Sequence, residues 1–373
     1  MVAPMLEDPH PDFEEMEMVL RGRQQPERVH LVELLVDEEV MRVITEQYLR
    51  RSWVPETSED HAAYARQLVD FYYHLGYDYA PISHWPADWP NHPAVEWGVA
   101  EDTAGLSKGD RQWANESGAL IDTFDDLERF PWHEIEPDLT RLRFAADYLP
   151  SGMKIVVMTS FFEHVFENLL GYEGLFDKLY EAPDLVAEVF DRWGQKAYGF
   201  YESVVGLDVV GAIFHPDDMG FKTSTLISPA HLREYVLPWL TRFASLAHAH
   251  GKMFWLHSCG NHYAAGTIHD LIQDVEIDAL HSFEDVILPV TQFIDRLGNQ
   301  VAALGGVDMD KLVRLPEEGL RSYVRGILNH CMPRRRYAFG SGNSIANYVP
   351  VDNYLIMIEE ARAWCVPAAH STE

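Results

Sequence analysis

Apolar β-branched runs alternate with amphipathic segments along most of the chain, and this pattern predicts strands separated by helices. Eight runs predict buried strands, and they begin at Arg28, Tyr77, Lys154, Asp208, Lys252, Ala279, Gln300 and Tyr337. Continuous apolar strands between helices are typical of a parallel sheet that is covered on both faces. Eight such units predict an α/β fold of the (β/α)8 TIM-barrel type, with a doubly wound open sheet as the alternative. No Gly-x-Gly-x-x-Gly follows the first strand, which disfavours dinucleotide binding.

The segments between the strands repeat apolar residues at intervals of three and four, as helices do. The predicted helices cover residues 38–51, 61–75, 163–205, 229–250, 262–273, 289–297, 310–330 and 351–364. We predict one barrel domain over 1–373, with an N-terminal helical extension at 1–27 and the barrel at 28–365. The first strand is predicted over 28–36. About residues 84–150 we predict an irregular insertion with short helices, in which tryptophans either pack the segment onto the core or cover a flat cofactor.

The charge of the chain limits its partners. Lys plus Arg number 29 and Asp plus Glu number 59, so the net charge is −30. That excess of acid disfavours nucleic acid and anionic membrane surfaces as partners. From the sequence we also expect neither a membrane span nor a secretory signal. Three cysteines are too few for a disulfide framework, so we expect a cytoplasmic protein, with Cys331 and Cys365 packing helices.

Polar side chains follow five consecutive predicted strands. The segments begin at His215, His257, His281, Gly305 and Gly340, and they contain Asp217, Asp218, Cys259, Glu284, Asp308, Ser341 and Asn343. Turns favour such residues in any fold, which would explain a single case. Five cases in succession favour a functional site, because barrel enzymes place their sites where the strands end.

His257-Ser-Cys259 has the spacing of a metal-ligand pair. Positions i and i+2 of a strand point to the same side, so the imidazole and the thiolate can converge on one ion. Zinc prefers these ligands, and a catalytic zinc takes three protein ligands and keeps one open position. Glu284 or His281, on the next strand, is the predicted third ligand. The alternative is a buried cysteine beside a hydrogen-bonded histidine.

The remaining candidates have weaker patterns. Asp217 and Asp218 would act as general base, as partner of His257 or as turn formers, and we add Asp308 as a catalytic candidate. Lys222 could orient a substrate carboxylate. Ser341 and Asn343 lie in a turn that is similar to an anion-binding helix start, which makes them candidate substrate-binding residues. Glu163, after the third predicted strand, and Glu33, within the first, are weaker candidates, and Glu33 needs a partner or water because it lies inside an apolar run.

Several of these motifs together resemble the uroporphyrinogen decarboxylase superfamily. They are Pro26-Glu-Arg-Val29, Asp217-Asp-Met-Gly, His257-Ser-Cys-Gly-Asn, Gly305-Gly-Val-Asp and Pro350-Val-Asp-Asn, spread over about residues 13–365. The resemblance implies a (β/α)8 barrel with an N-terminal helical extension. One branch of the superfamily decarboxylates uroporphyrinogen without a cofactor. The other binds zinc and moves methyl groups between corrinoid proteins and thiols.

The chain resembles the methyltransferase branch more closely. His257 and Cys259 fall on the His-x-Cys zinc pair of that branch, although the cysteine that it carries after the eighth strand is absent from residues 340–345. The decarboxylase branch carries the segment Met-Arg-Gln-Ala-Gly-Arg-Tyr early in the chain, whereas Asp37-Glu-Glu-Val-Met-Arg42 follows the first strand here. Acids at that place do not suit a substrate with eight carboxylates.

The resemblance therefore implies a zinc-dependent methyltransferase. Its methyl donor would be a corrinoid (methylcobalamin) carried by a partner protein, its acceptor a small-molecule thiol or similar nucleophile, and a homodimer is expected by resemblance only. Two alternatives remain open. One is a metal-free decarboxylase with Asp218 and a buried cation at its centre, and the other is a non-catalytic barrel that binds a ligand.

Overall fold

The structure, a computed structural model, describes residues 5–56, 59–83, 97–102, 104–106, 110–114 and 119–364. The α/β class that the sequence predicts is confirmed, because strands and helices alternate along these residues. The chain forms two compact units. The first unit comprises Met1–Ala80, Tyr148–Lys154 and Asp278–Glu373, and the second comprises Pro81–Asp147 and Ile155–Ile277. A single barrel domain over 1–373 stays a prediction.

Among the described residues, seven strands belong to the parallel sheet. In the second unit these are β4 (Lys154–Met158, whose first residue belongs to the first unit), β5 (Val210–Pro216) and β8 (Met253–His257), which pair in that order. In the first unit they are β9 (Ala279–His281), β10 (Ala302–Leu304) and β11 (Tyr337–Ala338). The unit boundary divides the seventh, β1 (Tyr79–Ser83). Two small hairpins pair β2 (Trp97–Glu101) with β3 (Asp110–Ala114), and β6 (Gly220–Phe221) with β7 (Ser224–Thr225).

Helices separate the sheet strands, as the sequence pattern predicts. The first eight are α1 (Phe13–Leu20), α2 (Glu38–Gln47), α3 (His61–Leu75), α4 (Phe124–Arg129), α5 (Thr140–Tyr148), α6 (Phe162–His164), α7 (Tyr172–Glu181) and α8 (Pro183–Val204). The others are α9 (Pro229–His231), α10 (Leu237–Ala249), α11 (His262–Ala265), α12 (Ile268–Gln273), α13 (Val290–Leu297), α14 (Met309–Arg314), α15 (Glu317–Cys331) and α16 (Val351–Ala363). Among the described residues, no helix has both the length and the apolar character needed to cross a membrane.

The predicted first strand, 28–36, does not form a regular strand. Leu31 makes a parallel bridge to Phe339 and Val36 makes one to Ile345, both as isolated bridges. Between them, the backbone N–H of Glu33 donates to the Tyr79 hydroxyl, which donates in turn to the Glu33 carbonyl. The Tyr79 hydroxyl therefore binds the backbone N–H and carbonyl of Glu33, which a paired strand would otherwise use. The sequence predicts eight regular sheet strands, and the described part of the chain forms seven.

Three predicted helices are interrupted for local reasons. The helix at 262–273 breaks at Gly266, whose φ of 76° is a conformation that glycine adopts without strain. The helix at 310–330 breaks before Glu317, because Pro316 cannot donate within it. The helix at 229–250 contains a π-helical turn over Leu232–Val236, directly ahead of Pro238. A π turn of this kind accommodates the missing proline N–H.

The insertion contains more regular structure than predicted. The hairpin of β2 and β3 was not predicted, whereas α4 and α5 match the two expected short helices. Trp85 and Trp89 lie outside the described residues. Trp132 packs against Phe130 at 4.6 Å between ring centroids and donates its indole N–H to the carbonyl of Leu127. At Trp132 the packing role is the one that the structure shows.

Candidate metal centre

Two neighbouring strands of the second unit carry the residues of the candidate site. β5 and β8 run in parallel, with Pro216 opposite His257, and the Asp217 N–H donates to the His257 carbonyl at 2.9 Å. The loops that follow them, 217–220 and 258–261, thus start at the same level. Further bonds join the two loops, from the Met219 N–H to Ser258 Oγ and from the Asn261 N–H to the Phe221 carbonyl.

Two glycines let these loops approach each other. A Cβ at Gly220 would lie 2.6 Å from the Ser224 carbonyl oxygen and 2.9 Å from the Cα of Gly260. Gly260 has a φ of 137°, and a Cβ there would lie 2.7 Å from the Cα of Gly220. Real Cβ atoms do not come so close to a backbone, so both motifs, Asp-Asp-Met-Gly and His-Ser-Cys-Gly, need their final glycine.

Asp218, His257 and Cys259 come together where the loops meet. His257 Nε2 lies 3.2 Å from Asp218 Oδ1 and 3.9 Å from Cys259 Sγ, and one ligand atom of each residue lies within 4.8 Å of the others. The Cys259 N–H donates to Asp218 Oδ1 at 2.7 Å, which orients that carboxylate. The His257 side chain is 5% exposed and that of Asp218 is 36% exposed, so solvent reaches the cluster from the aspartate side.

These separations suit a single zinc ion. A tetrahedral zinc holds nitrogen and sulfur ligands about 3.5 Å apart, and nitrogen and oxygen ligands about 3.3 Å apart. The two distances from His257 Nε2 differ from these values by a few tenths of an ångström. One carboxylate, one imidazole and one thiolate are also ligand types that zinc accepts, and three protein ligands leave one position open.

Without a metal, the cluster favours an ion pair. Burial alone would lower the pKa of His257, but the Asp218 carboxylate and Cys259 raise it to about 10. Burial opposes ionisation of Asp218 as well, yet the His257 imidazole and the Cys259 N–H lower its pKa to about 2. Burial and the negative charges of Asp218 and Asp217 raise the pKa of Glu163 well above its usual range. The proton on the His257 imidazole thus lies against Asp218, where a divalent metal ion would bind instead, and metal binding would displace this proton.

Asp217 has a different environment from its neighbour. It is fully buried, and its carboxylate accepts the backbone N–H groups of Phe161, Phe162 and Glu163 at 2.9–3.2 Å. Its Oδ2 also lies 3.0 Å from Nε2 of His215. A carboxylate with these partners anchors the start of α6 to the end of β5. A catalytic role of Asp217 stays a prediction.

His215 belongs to a buried hydrogen-bond network that extends from Asp217. Its Nδ1 lies 2.8 Å from the Tyr201 hydroxyl, and that hydroxyl donates to the Thr159 carbonyl at 2.9 Å. β5, α8 and the end of β4 are therefore joined behind the candidate site. The network holds Asp217 and so fixes the start of the loop that carries Asp218.

The other predicted ligands, His281 and Glu284, belong to the first unit. His281 ends β9 and is fully buried, with Nε2 at 3.2 Å from the Ser341 carbonyl. Glu284 follows β9, and its carbonyl accepts the N–H groups of Ile287 and Leu288. Their role as metal ligands stays a prediction. Asp308 is the N-cap of α14, because its side chain accepts the Lys311 N–H, and its other oxygen accepts the Asp285 N–H at 2.8 Å.

The predicted substrate-binding residues are placed as follows. Lys222 is exposed in the turn between β6 and β7, and its carbonyl accepts from the Asn261 amide. Ser341 is fully buried, and its hydroxyl contacts the carboxyl of Glu33 and the carbonyl of Asn343. Glu33 was expected to need a partner because it lies in an apolar run, and Ser341 is that partner. Substrate binding by Lys222, Ser341 and Asn343 stays a prediction.

The sequence reasoning missed two features of this centre. It considered Asp218 as a general base, a partner of His257 or a turn former, but not as a metal ligand. It looked for the third ligand after the strand that follows β8 in the chain, whereas Asp218 follows β5. It also made no use of Gly220 and Gly260. The repeated order of polar ligand and then glycine, in Asp-Asp-Met-Gly and His-Ser-Cys-Gly, could have indicated two loops that cross closely.

Fold and centre together define an α/β protein with a candidate metal-ligand cluster after adjacent parallel strands. The family model "Uroporphyrinogen decarboxylase (URO-D)" matches residues 157–364, more than half of the chain. The chain therefore belongs to the uroporphyrinogen decarboxylase family, as the resemblance implied. No curated protein sequence matches it.

One solved structure extends the likeness of fold over nearly the whole chain. A methyltransferase from Methanosarcina mazei has a TM-score of 0.66 at 15% identity, over 94% of this chain and 98% of that chain. A Listeria monocytogenes protein, provisionally named a vitamin-B12-independent methionine synthase, has a TM-score of 0.45 at 11% identity, over 90% of this chain and 95% of that chain. At such identities the first match shows the fold alone.

Proposed function

We propose that this protein is a zinc-dependent methyltransferase, which moves a methyl group between a corrinoid carried by a partner protein and a small-molecule thiol or similar nucleophile. The observation that carries the proposal is the convergence of Asp218, His257 and Cys259 on one point. The His-x-Cys pair of the methyltransferase branch and the methyltransferase fold of the Methanosarcina mazei protein support it.

The residues of the cluster have separate roles in this proposal. His257 and Cys259 hold zinc, and Asp218 is the third donor, with Glu284 and His281 as the predicted alternatives. Bound zinc lowers the pKa of a substrate thiol, so that more thiolate is present at neutral pH. Asp217 keeps the ligand loop in place through the start of α6. The exposed side of Asp218 leaves the centre open to a substrate.

The same proposal includes the finer points of the sequence interpretation. The strands would close as a (β/α)8 barrel, which membership of the family supports. A corrinoid protein would dock near the strand ends, and a homodimer remains an expectation. A reducing cytoplasm would keep Cys259 available as a thiolate ligand.

The first experiment measures zinc in the purified protein by mass spectrometry. We expect about one zinc per chain in the wild type and below about one tenth of that in His257→Ala and Cys259→Ala, because two remaining donors hold zinc poorly. His269→Ala, an exposed histidine on α12, is the matched control and should keep its zinc. Equal zinc in the wild type and in His257→Ala would contradict the proposal.

A second experiment separates the proposed reaction from decarboxylation. The wild type, His257→Ala and His269→Ala are incubated with methylcobalamin and a thiol, and the visible spectrum of the corrinoid reports demethylation. We expect turnover with the wild type and His269→Ala only. Turnover of uroporphyrinogen by both wild type and His257→Ala would instead support the metal-free decarboxylase.

A further inference from the structure

A cavity of about 620 Å³ in the first unit is lined by three consecutive arginines. They are Arg334, Arg335 and Arg336, and the polar side chains of Gln25 and Asn299 lie beside them. In a chain with 29 basic and 59 acidic residues, such a concentration of positive charge is unusual. The volume is within the range of cavities that bind small molecules.

Helix capping explains two of the three arginines. The helices α1, α13 and α15 have their C-terminal ends near this cavity. The C-terminal end of a helix carries partial negative charge and therefore attracts arginine side chains. Arg334 donates to the His330 carbonyl and pairs with Asp295 at 2.9 Å. Arg335 donates one bond to the Gly22 carbonyl at 3.2 Å, which leaves most of its donors available.

Arg336 has no such explanation. Its guanidinium makes no hydrogen bond or ion pair with any residue that the structure describes, although the side chain is half-buried. Its φ of 67° is a costly conformation for a residue with a side chain. The backbone is held there by bonds of its N–H to the Val19 carbonyl and of its carbonyl to the Ala303 N–H.

Gly22 makes room for this guanidinium. A Cβ at Gly22 would lie 2.8 Å from Arg336 Nε, so a larger residue would displace the arginine from the cavity wall. Among the described residues that line the cavity, Asp295 is the one acid, and Arg334 already pairs with it. In the described part of the cavity wall, no carboxylate therefore remains to pair with Arg335 or Arg336.

We propose that this cavity binds a phosphate-bearing small molecule through the guanidinium groups of Arg335 and Arg336. Guanidinium groups bind phosphate oxygens in pairs, and amides such as those of Gln25 and Asn299 can donate to the remaining oxygens. A net charge of −30 repels long polyanions, whereas a compact phosphate experiences mainly the local field. The site uses none of the residues of the Asp-His-Cys cluster.

Calorimetric titration tests the proposal, with inorganic phosphate and adenosine 5′-monophosphate as probes and adenosine as the phosphate-free control. We expect saturable binding of both phosphates to the wild type and none of adenosine. Arg335→Gln and Arg336→Gln should each weaken binding at least about tenfold, because a charge-assisted hydrogen bond is lost. Arg314→Gln, an exposed arginine of α14, should bind like the wild type.

A measurement on the wild type alone avoids any doubt about folding. Phenylglyoxal modifies accessible arginines, and mass spectrometry gives the rate at each one. Phosphate should slow the modification of Arg335 and Arg336 severalfold more than that of Arg314. No saturable binding, or equal binding by the Arg335→Gln/Arg336→Gln double variant, or equal slowing at all three arginines, would overturn the proposal.

Discussion

Asp217 and Asp218 are adjacent and chemically identical, yet they have different surroundings. Asp217 is fully buried and accepts three backbone N–H groups, whereas the side chain of Asp218 is 36% exposed and lies against His257. On extended backbone, successive side chains point in opposite directions. One carboxylate therefore supports the fold and the other is available to a metal.

The substitutions Asp217→Asn and Asp218→Asn should separate these roles. Asp217→Asn should lower the free energy of unfolding by about 3 kcal/mol, because it weakens a buried, charge-assisted hydrogen-bond network. Asp218→Asn removes the ion pair with His257 at a partly exposed position but keeps an acceptor for the Cys259 N–H, so it should cost less stability, about 1 kcal/mol. It should weaken zinc binding by about tenfold or more, because a carboxylate ligand becomes a neutral amide. Urea unfolding and competition with a zinc indicator measure the two effects. Each substitution is the control for the other, and identical profiles would contradict this division.

Glu33 is a buried carboxyl whose state depends on pH. Burial raises its pKa to about 8, although bonds from the N–H and hydroxyl of Ser341 oppose that rise. The hydroxyls of Tyr72, Tyr77, Tyr79 and Tyr354 surround it within the first unit. Near neutral pH the folded protein thus holds Glu33 mainly in its protonated form.

The stability of the wild type should therefore fall with rising pH through this residue. Since the folded pKa of about 8 exceeds the usual 4.5, the folded state holds one extra proton between these values. The contribution is complete below pH 4.5, decreases as pH rises to about 8, and totals on the order of 5 kcal/mol. Glu33→Gln should not show this decrease, because it is neutral throughout. Urea unfolding across this pH range measures the difference.

Glu318→Gln, an exposed carboxyl at the start of α15, is the control and should follow the pH dependence of the wild type. Parallel stability profiles for the wild type and Glu33→Gln would show that Glu33 titrates normally.

The individual site residues were predictable to different degrees. His257 and Cys259 could be paired from sequence because both lie at the end of one strand, two positions apart. The third donor of the cluster lies 39 positions before His257, and no local rule ranks it above Glu284 or His281. That choice depends on which strands are neighbours and on a close approach of two loops.

Helices α8 and α10 cross at a glycine behind the candidate site. A Cβ at Gly194 would overlap the indole ring of Trp239. Gly199, five residues further along α8, has no atom within 4 Å of an added Cβ. The two glycines of one helix therefore differ in what they permit: the first allows the helices to approach, and the second does not need to be glycine.

Gly194→Ala and Gly199→Ala should change stability in opposite directions. Gly194→Ala should destabilise the protein by about 2 kcal/mol or more, because the helices or the indole must move. Gly199→Ala should stabilise it by up to about 1 kcal/mol, because alanine favours the helix. Thermal and urea unfolding give both values. Equal effects at the two positions would mean that the helix crossing is not as tight as described.

The elements were largely predictable because their apolar patterns are strong. β4, β5 and β8 coincide with predicted strands, and the helices fall between them. The errors have local causes that periodicity does not contain: Tyr79 takes the backbone groups of Glu33, and Gly266 and Pro316 divide predicted helices. The hairpin of β2 and β3 was missed because its strands lie in a segment of low apolar regularity.

Electrostatic repulsion acts on the molecule as a whole. A net charge of −30 on 373 residues disfavours any compact state through self-repulsion. Local ion pairs offset part of this, as where Arg321 and Arg325 bind Glu360 on α16. Most of the excess charge has no such partner, because acids outnumber bases two to one.

Salt should therefore stabilise the protein. Raising NaCl from about 0.05 M to about 0.5 M should increase the free energy of unfolding by about 1 kcal/mol, because counterions screen the repulsion. Urea unfolding at each concentration measures the change. Tetramethylammonium chloride of equal ionic strength should act similarly, since screening depends on ionic strength. A decrease in stability would show that attractive ion pairs dominate.

The close crossing of Gly220 and Gly260 has a consequence for how the centre can change. The crossing and its backbone bonds fix the distance between the two loops before any ligand side chain is considered. The donor atoms are thus carried on a preformed support. Replacing Cys259 by aspartate or histidine should alter which metal ion the centre prefers, while the two loops keep their positions. In evolution, the metal preference of such a centre could therefore change without a change in the fold.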